Sequence, residues 1–500
     1  MRQWTSAGEN ARFGLLVHRT NAAREGAYDR ESHTGKLAKT LDAAGRRGGI
    51  VVERIGIGSI PTWKSNARVK SMEEPMTKFS RVSVQWTLVL LAIFIPGLCQ
   101  AGGLYLYEVG GSDVGLAAAG WAARAQDAAT AFTNPAGMTR LARSELMVGI
   151  EPLYLNVDFQ PDGNTTTTGS HGDASGWLPT GGIYYVHNLK SDLKFGLALT
   201  GYFGLGLEYE DDWVGRYYVQ NVTLQALAVQ PALAYRVNDW FSVGMGVAAL
   251  YGILKEEIAV NNIDPSLPDG KLEVEDEDWA FQFNLGVLAE PWTGTRFGLT
   301  YLSEADLEFS DNPEFKGLGP GLTAILGNRG LLNSNLDLDM TMPQSVMFSA
   351  YHDITDTVAV MANLGWQQWS EFGMVGVTLA SQDTTDLTVD RHYDDTWHTA
   401  LGVQYRVSEP WLLSAGVAYD SAMVDEEDLT PDLPVGEQWR FGLGAQYQWS
   451  ENLTIGGDYE LVWTGDLDMD LYRGPLAGQV SGTYEDVAMH FINFNLIWKF

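Results

Sequence analysis

The chain has 500 residues, of which 45% are hydrophobic and 19% charged, and it contains 55 glycines and 17 tryptophans. This composition is too apolar and too aromatic for a disordered chain. The mean hydropathy of −0.11 is in turn too low for a membrane protein built of helices. A β-barrel in lipid has this mixture of residues, because only every second side chain faces the lipid.

The net charge of −31 is unevenly distributed along the chain. Residues 1–101 carry a net charge of +7, and the remainder carries −38. A domain this acidic is not expected to bind nucleic acid, because phosphate recognition needs clustered lysine and arginine. We assign the acidic runs 273–278 and 425–428 to solvated loops, since their spacing does not match a calcium-binding loop. No metal or other cofactor is expected.

Residues 76–101 have the features of a secretory signal peptide. A basic start is followed by an apolar run, residues 84–98, and by small residues before a predicted cleavage in front of Gly102. The single cysteine, Cys99, lies in this segment and therefore predicts no disulfide. The alternative is a transmembrane anchor, but the run is shorter than the roughly 20 residues that a spanning helix needs.

The first 75 residues precede the predicted signal peptide and do not resemble a folded domain. They are basic, aperiodic and poor in aromatic residues. We predict that residues 1–75 are a non-native extension of the reading frame, with a disordered segment as the alternative.

The segment after the predicted cleavage, residues 102–143, differs from the rest of the mature chain. It is rich in alanine and glycine and lacks alternation, which indicates short helices and turns, with Pro135 ending one of them. It is too weakly apolar to lie in lipid. We predict that it plugs the lumen of a barrel; the alternative is a loose periplasmic tail.

From Ser144 to Phe500 the sequence is a series of segments that alternate with period two, the pattern of strands with one apolar face. We count about fourteen such segments, which predicts an all-β, antiparallel transmembrane barrel over residues 144–500. A soluble β-sandwich would also alternate, but it is not expected to repeat an aromatic face over so long a chain. The clearest segment places on one face Trp439, Phe441, Leu443, Ala445, Tyr447 and Trp449, and on the other Arg440, Gly442, Gly444, Gln446 and Gln448.

The chain ends on an aromatic residue. Phe500 closes an alternating strand, which resembles the C-terminal signal that the barrel assembly machinery reads in outer-membrane proteins. We therefore expect that machinery and outer-membrane lipid to be partners of this chain.

Several stretches resemble the outer-membrane family of long-chain fatty acid and aromatic-hydrocarbon transporters (FadL/TodX-like). The resemblance extends from Gly102 to Phe500. In this family a segment called the hatch plugs the barrel. The stretches that carry the resemblance are the hatch triplet Asn134, Pro135 and Ala136, GYFGLGLEYEDDWVGRYYV at 201–219, MPQSV at 342–346 and WQQWSEF at 366–372.

The resemblance implies a monomeric barrel of fourteen strands, plugged by a hatch at residues 102–143. It also implies that a hydrophobic ligand binds inside, shifts the hatch and leaves sideways at a kink in the third strand. Such a route retains the roughly 0.8 kcal/mol gained for each buried methylene. The residues expected at the kink are Tyr202, Phe203, Gly204 and Gly206; the first two stand where the family often has proline.

A carboxylate ligand would be stabilised by a cation inside the barrel. We predict that at least one of four arginines contacts the ligand headgroup, and the alternative is pairing with acids of the lumen such as Asp458 and Glu460. The four candidates are Arg216, Arg296, Arg406 and Arg440.

The function that we predict is transport of hydrophobic small molecules, with long-chain fatty acids as the first candidate and aromatic hydrocarbons as the alternative. A surface adhesin and a general porin are the alternatives outside this function. The histidines are scattered and no Gly-x-Ser-x-Gly motif is present in the sequence, so we do not expect an enzyme.

Overall fold

The computed structural model of the protein describes residues 104–380 and 384–500, and the side chains of residues 378–387 are outside this description. The predicted extension 1–75 and signal peptide 76–101 lie outside the described residues and stay predictions.

Fourteen antiparallel strands form a closed barrel in the described part of the chain, which confirms the predicted fold class. Strands that follow one another pair with one another, and the first pairs with the last, Glu145 lying opposite Lys499. Short turns join the strands at one end and long loops at the other. The strands are β1 (Glu145–Pro161), β2 (Gly176–Asn188), β3 (Leu193–Glu208), β4 (Asn221–Asn238), β5 (Phe241–Val260), β6 (Gly270–Trp292), β7 (Thr295–Leu302), β8 (Ser345–Asp353), β9 (Val358–Gln367), β10 (Thr396–Ser408), β11 (Trp411–Asp420), β12 (Gln438–Gln448), β13 (Leu453–Tyr472) and β14 (Gln479–Lys499).

The strands point their apolar faces outward, as the alternation predicts. Phe281 is 66% exposed, Leu443 63% and Phe494 61%, whereas the intervening Gln282 and Arg440 are buried. An outward apolar face and an inward polar one are the arrangement of a barrel in lipid, the reverse of a soluble protein.

Residues 104–141, here called the inner segment, lie inside the barrel. The turn of 3₁₀-helix Val114–Leu116 packs against β10–β13, and the 3₁₀-helix Pro135–Arg140 packs against β3–β6 on the opposite wall. A short α-helix, Thr130–Thr133, lies between them along the chain. The predicted mixture of short helices and turns is therefore observed.

Glycines on the inward face allow the backbone of the inner segment to lie directly on the wall. A Cβ at Gly442 would stand 2.6 Å from the amide nitrogen of Ala117, and one at Gly416 would overlap the backbone of Leu116. The small residues on this face of the strands thus make room for the inner segment rather than for a wide channel.

The long loops after β7 and β9 carry structure that the sequence analysis did not predict. They supply the strands of a separate four-stranded sheet and most of the remaining helices. The run 273–278, assigned above to a loop, belongs instead to β6. In the described residues no helix is long and apolar enough to cross a membrane. The sheet consists of Ala305–Asp311, Asn335–Met342, Met374–Ala380 and Thr384–Asp390; the other elements are Gly172–Asp173, Glu314–Lys316, Pro320–Asn328, Leu331–Asn333, Trp369–Phe372 and Glu426–Asp428.

Candidate functional site

A narrow cavity lies between the inner segment and the wall formed by β6–β9. Its volume is about 20 Å³, roughly the room that one water molecule needs, so the inner segment has to move before a larger molecule can enter. The inner segment supplies most of its aromatic side chains, and the wall supplies apolar and uncharged polar ones. The described residues that line it are Tyr105, Tyr107, Trp121, Phe132, Thr133, Asn284, Thr300, Leu302, Ser345, Val346, Met347, Trp366 and Gln367.

The aromatic side chains of the cavity contact one another. The ring of Tyr107 lies 5.2 Å from that of Tyr105 and 5.4 Å, edge to face, from that of Trp121. The Tyr107 hydroxyl also accepts a hydrogen bond of 3.0 Å from Nε2 of Gln367 on β9. Aromatic contacts of this kind add to the apolar burial and fix the shape of a site.

Two of the stretches that resemble the transporter family form one wall of this cavity. The stretch 342–346 leads into β8 and the stretch 366–372 follows from the end of β9. The antiparallel register sets Ser345 opposite Gln367 and Val346 opposite Trp366, so the two stretches lie level with each other. Both stretches carry the family resemblance in the sequence, where neither has a predicted role.

The hatch triplet anchors the inner segment to the wall. Nδ2 of Asn134 donates to the carbonyl oxygens of Ala122 (2.6 Å) and of Val287 on β6 (3.1 Å), while Oδ1 accepts from the amide of Ala136 (3.0 Å). Pro135 occupies the first turn of the following 3₁₀-helix, where its missing N–H costs nothing. Asn134 therefore joins two parts of the inner segment and one wall strand.

The wall itself is interrupted between β2 and β3. The two strands pair from Asn188 opposite Lys194 up to Gly182 opposite Thr200. Past Thr200 the register with β4 shifts by one residue between Gly201 and Phe203, which makes Tyr202 the extra residue of a β-bulge. Bulges bend a strand and end pairing locally, and the bulge coincides with the residues predicted at the kink.

The inner segment occupies the edge that β3 exposes beyond the bulge. The amide of Leu106 donates to the carbonyl of Tyr202 (2.8 Å), and the amide of Gly204 donates to the carbonyl of Leu104 (3.3 Å). Within the described residues, the β3 stretch 201–208 has strand partners only in β4 and in the inner segment. Gly206, the last predicted kink residue, lies in this stretch opposite Thr223 of β4.

The sequence model of the family described as "Outer membrane protein transport protein (OMPP1/FadL/TodX)" matches residues 92–491. The chain belongs to this family. Together with the closed barrel, membership places the protein in the bacterial outer membrane, where short turns face the periplasm and long loops face outward.

Relatives of this FadL/TodX-family chain are similar over most of their length. The "Long-chain fatty acid transport protein" of Escherichia coli O6:H1 is 26% identical over 366 residues, covering 67% of this chain and 81% of that protein. "Outer membrane protein P1" of Haemophilus influenzae is 26% identical over 393 residues, covering 69% and 82%. The relatives are named as transporters or outer-membrane proteins rather than enzymes.

Solved structures of the FadL/TodX family have the same fold. A Pseudomonas aeruginosa FadL homologue matches with a TM-score of 0.71 at 20% identity, covering 80% of this chain and all (100%) of that one. The Pseudomonas putida toluene transporter TodX matches with a TM-score of 0.59 at 15% identity, covering 81% and 99%.

In this FadL/TodX-family barrel, Arg440 points into the lumen from β12, as its parity predicts. Its guanidinium forms ion pairs with Glu108 of the inner segment and Asp420 of β11, and Nη1 lies 4.0 Å from Oε1 of Glu460. Oδ1 of the same Asp420 is 2.7 Å from Nδ1 of His398. The arginine is thus enclosed by carboxylates, which is the predicted alternative of pairing with acids of the lumen.

The other three arginines lie at separate places. Nε of Arg216 pairs with Asp269 at 2.8 Å among the outer loops. Arg296 lies near the periplasmic end of β7 with its guanidinium carbon 3.5 Å from the ring centroid of Tyr351, and Arg406 is exposed close to the turn after β10. Among the described residues that line the cavity, none is an arginine. The headgroup role of the four arginines stays a prediction.

Proposed function

We propose that this protein carries hydrophobic small molecules across the outer membrane by binding them in the aromatic cavity. The single observation that carries the proposal is that one residue of the inner segment both lines the cavity and contacts the interrupted wall. Tyr105 lines the cavity and forms a bridge with Phe203, on the edge of β3 that does not pair with β2. A movement that releases Tyr105 from β3 would therefore open the cavity toward the gap beside β2.

A sideways path suits the physical chemistry of such a ligand. A hydrophobic molecule that left through water would forfeit the free energy gained on burial, about 25 cal/mol for each Å² of apolar surface. A gap that leads from the cavity into the hydrocarbon keeps that surface out of water throughout. The hatch role of the inner segment and the lateral exit past Tyr202 are both parts of this proposal.

Both ligand classes predicted from the sequence have a hydrophobic body that suits the aromatic and aliphatic side chains of the cavity. The Escherichia coli relative is named for long-chain fatty acids, and the Pseudomonas putida structure for toluene. A general porin is less favoured, because the packed inner segment leaves a narrow cavity rather than a wide channel. We further propose that the protein acts as a monomer and that the barrel assembly machinery recognises its last strand, which ends next to Phe500.

Deletion of Tyr202 tests the proposal. The deletion removes the extra residue and lets β3 continue in regular register, so that it can pair with β2 over a longer stretch. Uptake of radiolabelled toluene and oleate is measured in Gram-negative cells that lack a transporter of this family. We expect wild-type protein to raise uptake of at least one compound and the deletion to abolish the increase.

Tyr202→Phe is the matched control, since it keeps the bulge and removes only the hydroxyl that donates to Oε1 of Gln282. It should transport like the wild type. If wild-type protein raises uptake of neither compound, or if the folded deletion variant transports normally, the proposal is wrong.

A further inference from the structure

We infer that the cavity selects an uncharged hydrophobic molecule, a hydrocarbon or a neutral alcohol derived from one, and disfavours a carboxylate. This inference rests on the proposed function and narrows its ligand class. It also departs from the fatty acid anion that the family resemblance placed first.

The described lining of the cavity carries no ionised side chain at neutral pH. Its members are aromatic, aliphatic, hydroxyl-bearing or amide side chains, and a tyrosine hydroxyl is uncharged at neutral pH. A carboxylate that entered would lose water and gain no opposite charge, and an unpaired buried charge is strongly disfavoured. An uncharged ligand of similar size has no such penalty.

The surroundings of the cavity are acidic rather than basic. Tyr107 is part of the lining, and the guanidinium carbon of Arg440 lies 5.2 Å from the centroid of its ring. That guanidinium is already paired with Glu108 and Asp420, and Glu460 is a third acid nearby. The ring of His398 lies 4.3 Å from that of Tyr107, and this histidine is in turn paired with Asp420. A ligand carboxylate would thus meet basic groups that are already paired with carboxylates, so its charged form would gain little from them.

The polar groups of the lining suit a ligand that donates a hydrogen bond. Nδ2 of Asn284 donates to the carbonyl of Phe132 at 2.5 Å, which fixes the orientation of the amide. Oδ1 of Asn284 is buried and has no hydrogen-bond partner among the described residues. A hydroxyl can donate to this oxygen, whereas an ionised carboxylate can only accept.

Matched ligand pairs that differ in charge test the inference directly. Equilibrium dialysis of the purified full-length protein in a non-ionic detergent would compare radiolabelled benzyl alcohol with benzoate, and oleyl alcohol with oleate, at neutral pH. Each measurement is corrected for partition into protein-free micelles. We expect the neutral member of at least one pair to bind about tenfold or more tightly than its anion, and neither anion to bind more tightly than its neutral partner.

The second part of the experiment places a cation in the cavity. Thr300 lines the cavity from β7. Thr300→Lys should strengthen anion binding and reduce or reverse the preference. Thr300→Met adds a side chain of similar length without charge and should leave the anion as weak as before. Binding that responds to the lysine but not to the methionine locates the effect in this cavity.

The outcomes separate this inference from the proposed function. If an anion binds as tightly as its neutral partner, or more tightly, in the wild-type protein, the inference is overturned, whereas transport of hydrophobic molecules stands. If no member of either pair binds and cells take up neither toluene nor oleate, the proposed function fails as well. A preference for the neutral ligands that Thr300→Lys does not change also overturns the inference, because charge in this cavity would then not set the selectivity.

Discussion

The ion-pair partners of Arg440 become apparent only in the folded chain. Period-two alternation places it on the inward face, and it is buried in the lumen. Its partners Glu108 and Asp420 stand 332 and 20 positions away along the chain. No local pattern connects residues so far apart, so sequence reasoning could give the arginine its face but not its partners. The same holds for the cavity, where aromatic residues of the inner segment meet strands that lie more than 150 positions later.

Replacement of Arg440 tests the role of this ion network. Arg440→Ala leaves the buried carboxylates of Glu108 and Asp420 without their counter-ion, which we expect to lower the free energy of unfolding by about 3–5 kcal/mol. Urea unfolding in detergent micelles measures the change. The exposed Arg406→Ala is the control and should change stability by no more than about 0.5 kcal/mol. Equal stability of the two variants would contradict the network described here.

At the scale of elements, the strands were predictable because the two faces of each strand meet different environments. Alternation gave the strand count and the inward glycines, and the absence of alternation indicated the inner segment. The run 273–278 was assigned to a loop because its acidity masked the continuation of β6 beyond the apolar region. The outer four-stranded sheet was missed for a related reason, since strands that lie outside lipid carry no apolar outward face.

The contact between the inner segment and the glycine wall leads to a prediction about ion leakage. Gly416→Val introduces a side chain where the backbone of Leu116 lies, so the inner segment must move away from β11. We expect a higher ion conductance through the barrel in planar lipid bilayers. Gly457→Val on β13 is the control, because a Cβ there would meet its nearest atom at 3.9 Å. Wild-type conductance in the Gly416 variant would show that the inner segment does not seal the lumen.

For the whole molecule, the position of an outward-facing residue along the barrel axis should determine how much a charged substitution there lowers the free energy of unfolding. Leu285 faces outward about midway between the exposed Trp279 and Trp292 of β6, whereas Trp292 itself faces outward at the periplasmic turn. Leu285→Arg should cost about 2–4 kcal/mol and Trp292→Arg about 0–1 kcal/mol, since lipid hydrocarbon solvates charge worst at its centre. Reversible unfolding in lipid vesicles measures both values. Equal costs would show that this face does not cross a bilayer.

The central claim is that a hydrophobic, uncharged ligand binds between the inner segment and β6–β9. A crystal of the protein grown with para-bromotoluene tests it most directly, because anomalous scattering locates the bromine without assumptions about the ligand. We predict a bromine peak among Tyr107, Trp121 and Trp366. Bromine found solely on the lipid-facing surface, with none in the cavity, would contradict the claim.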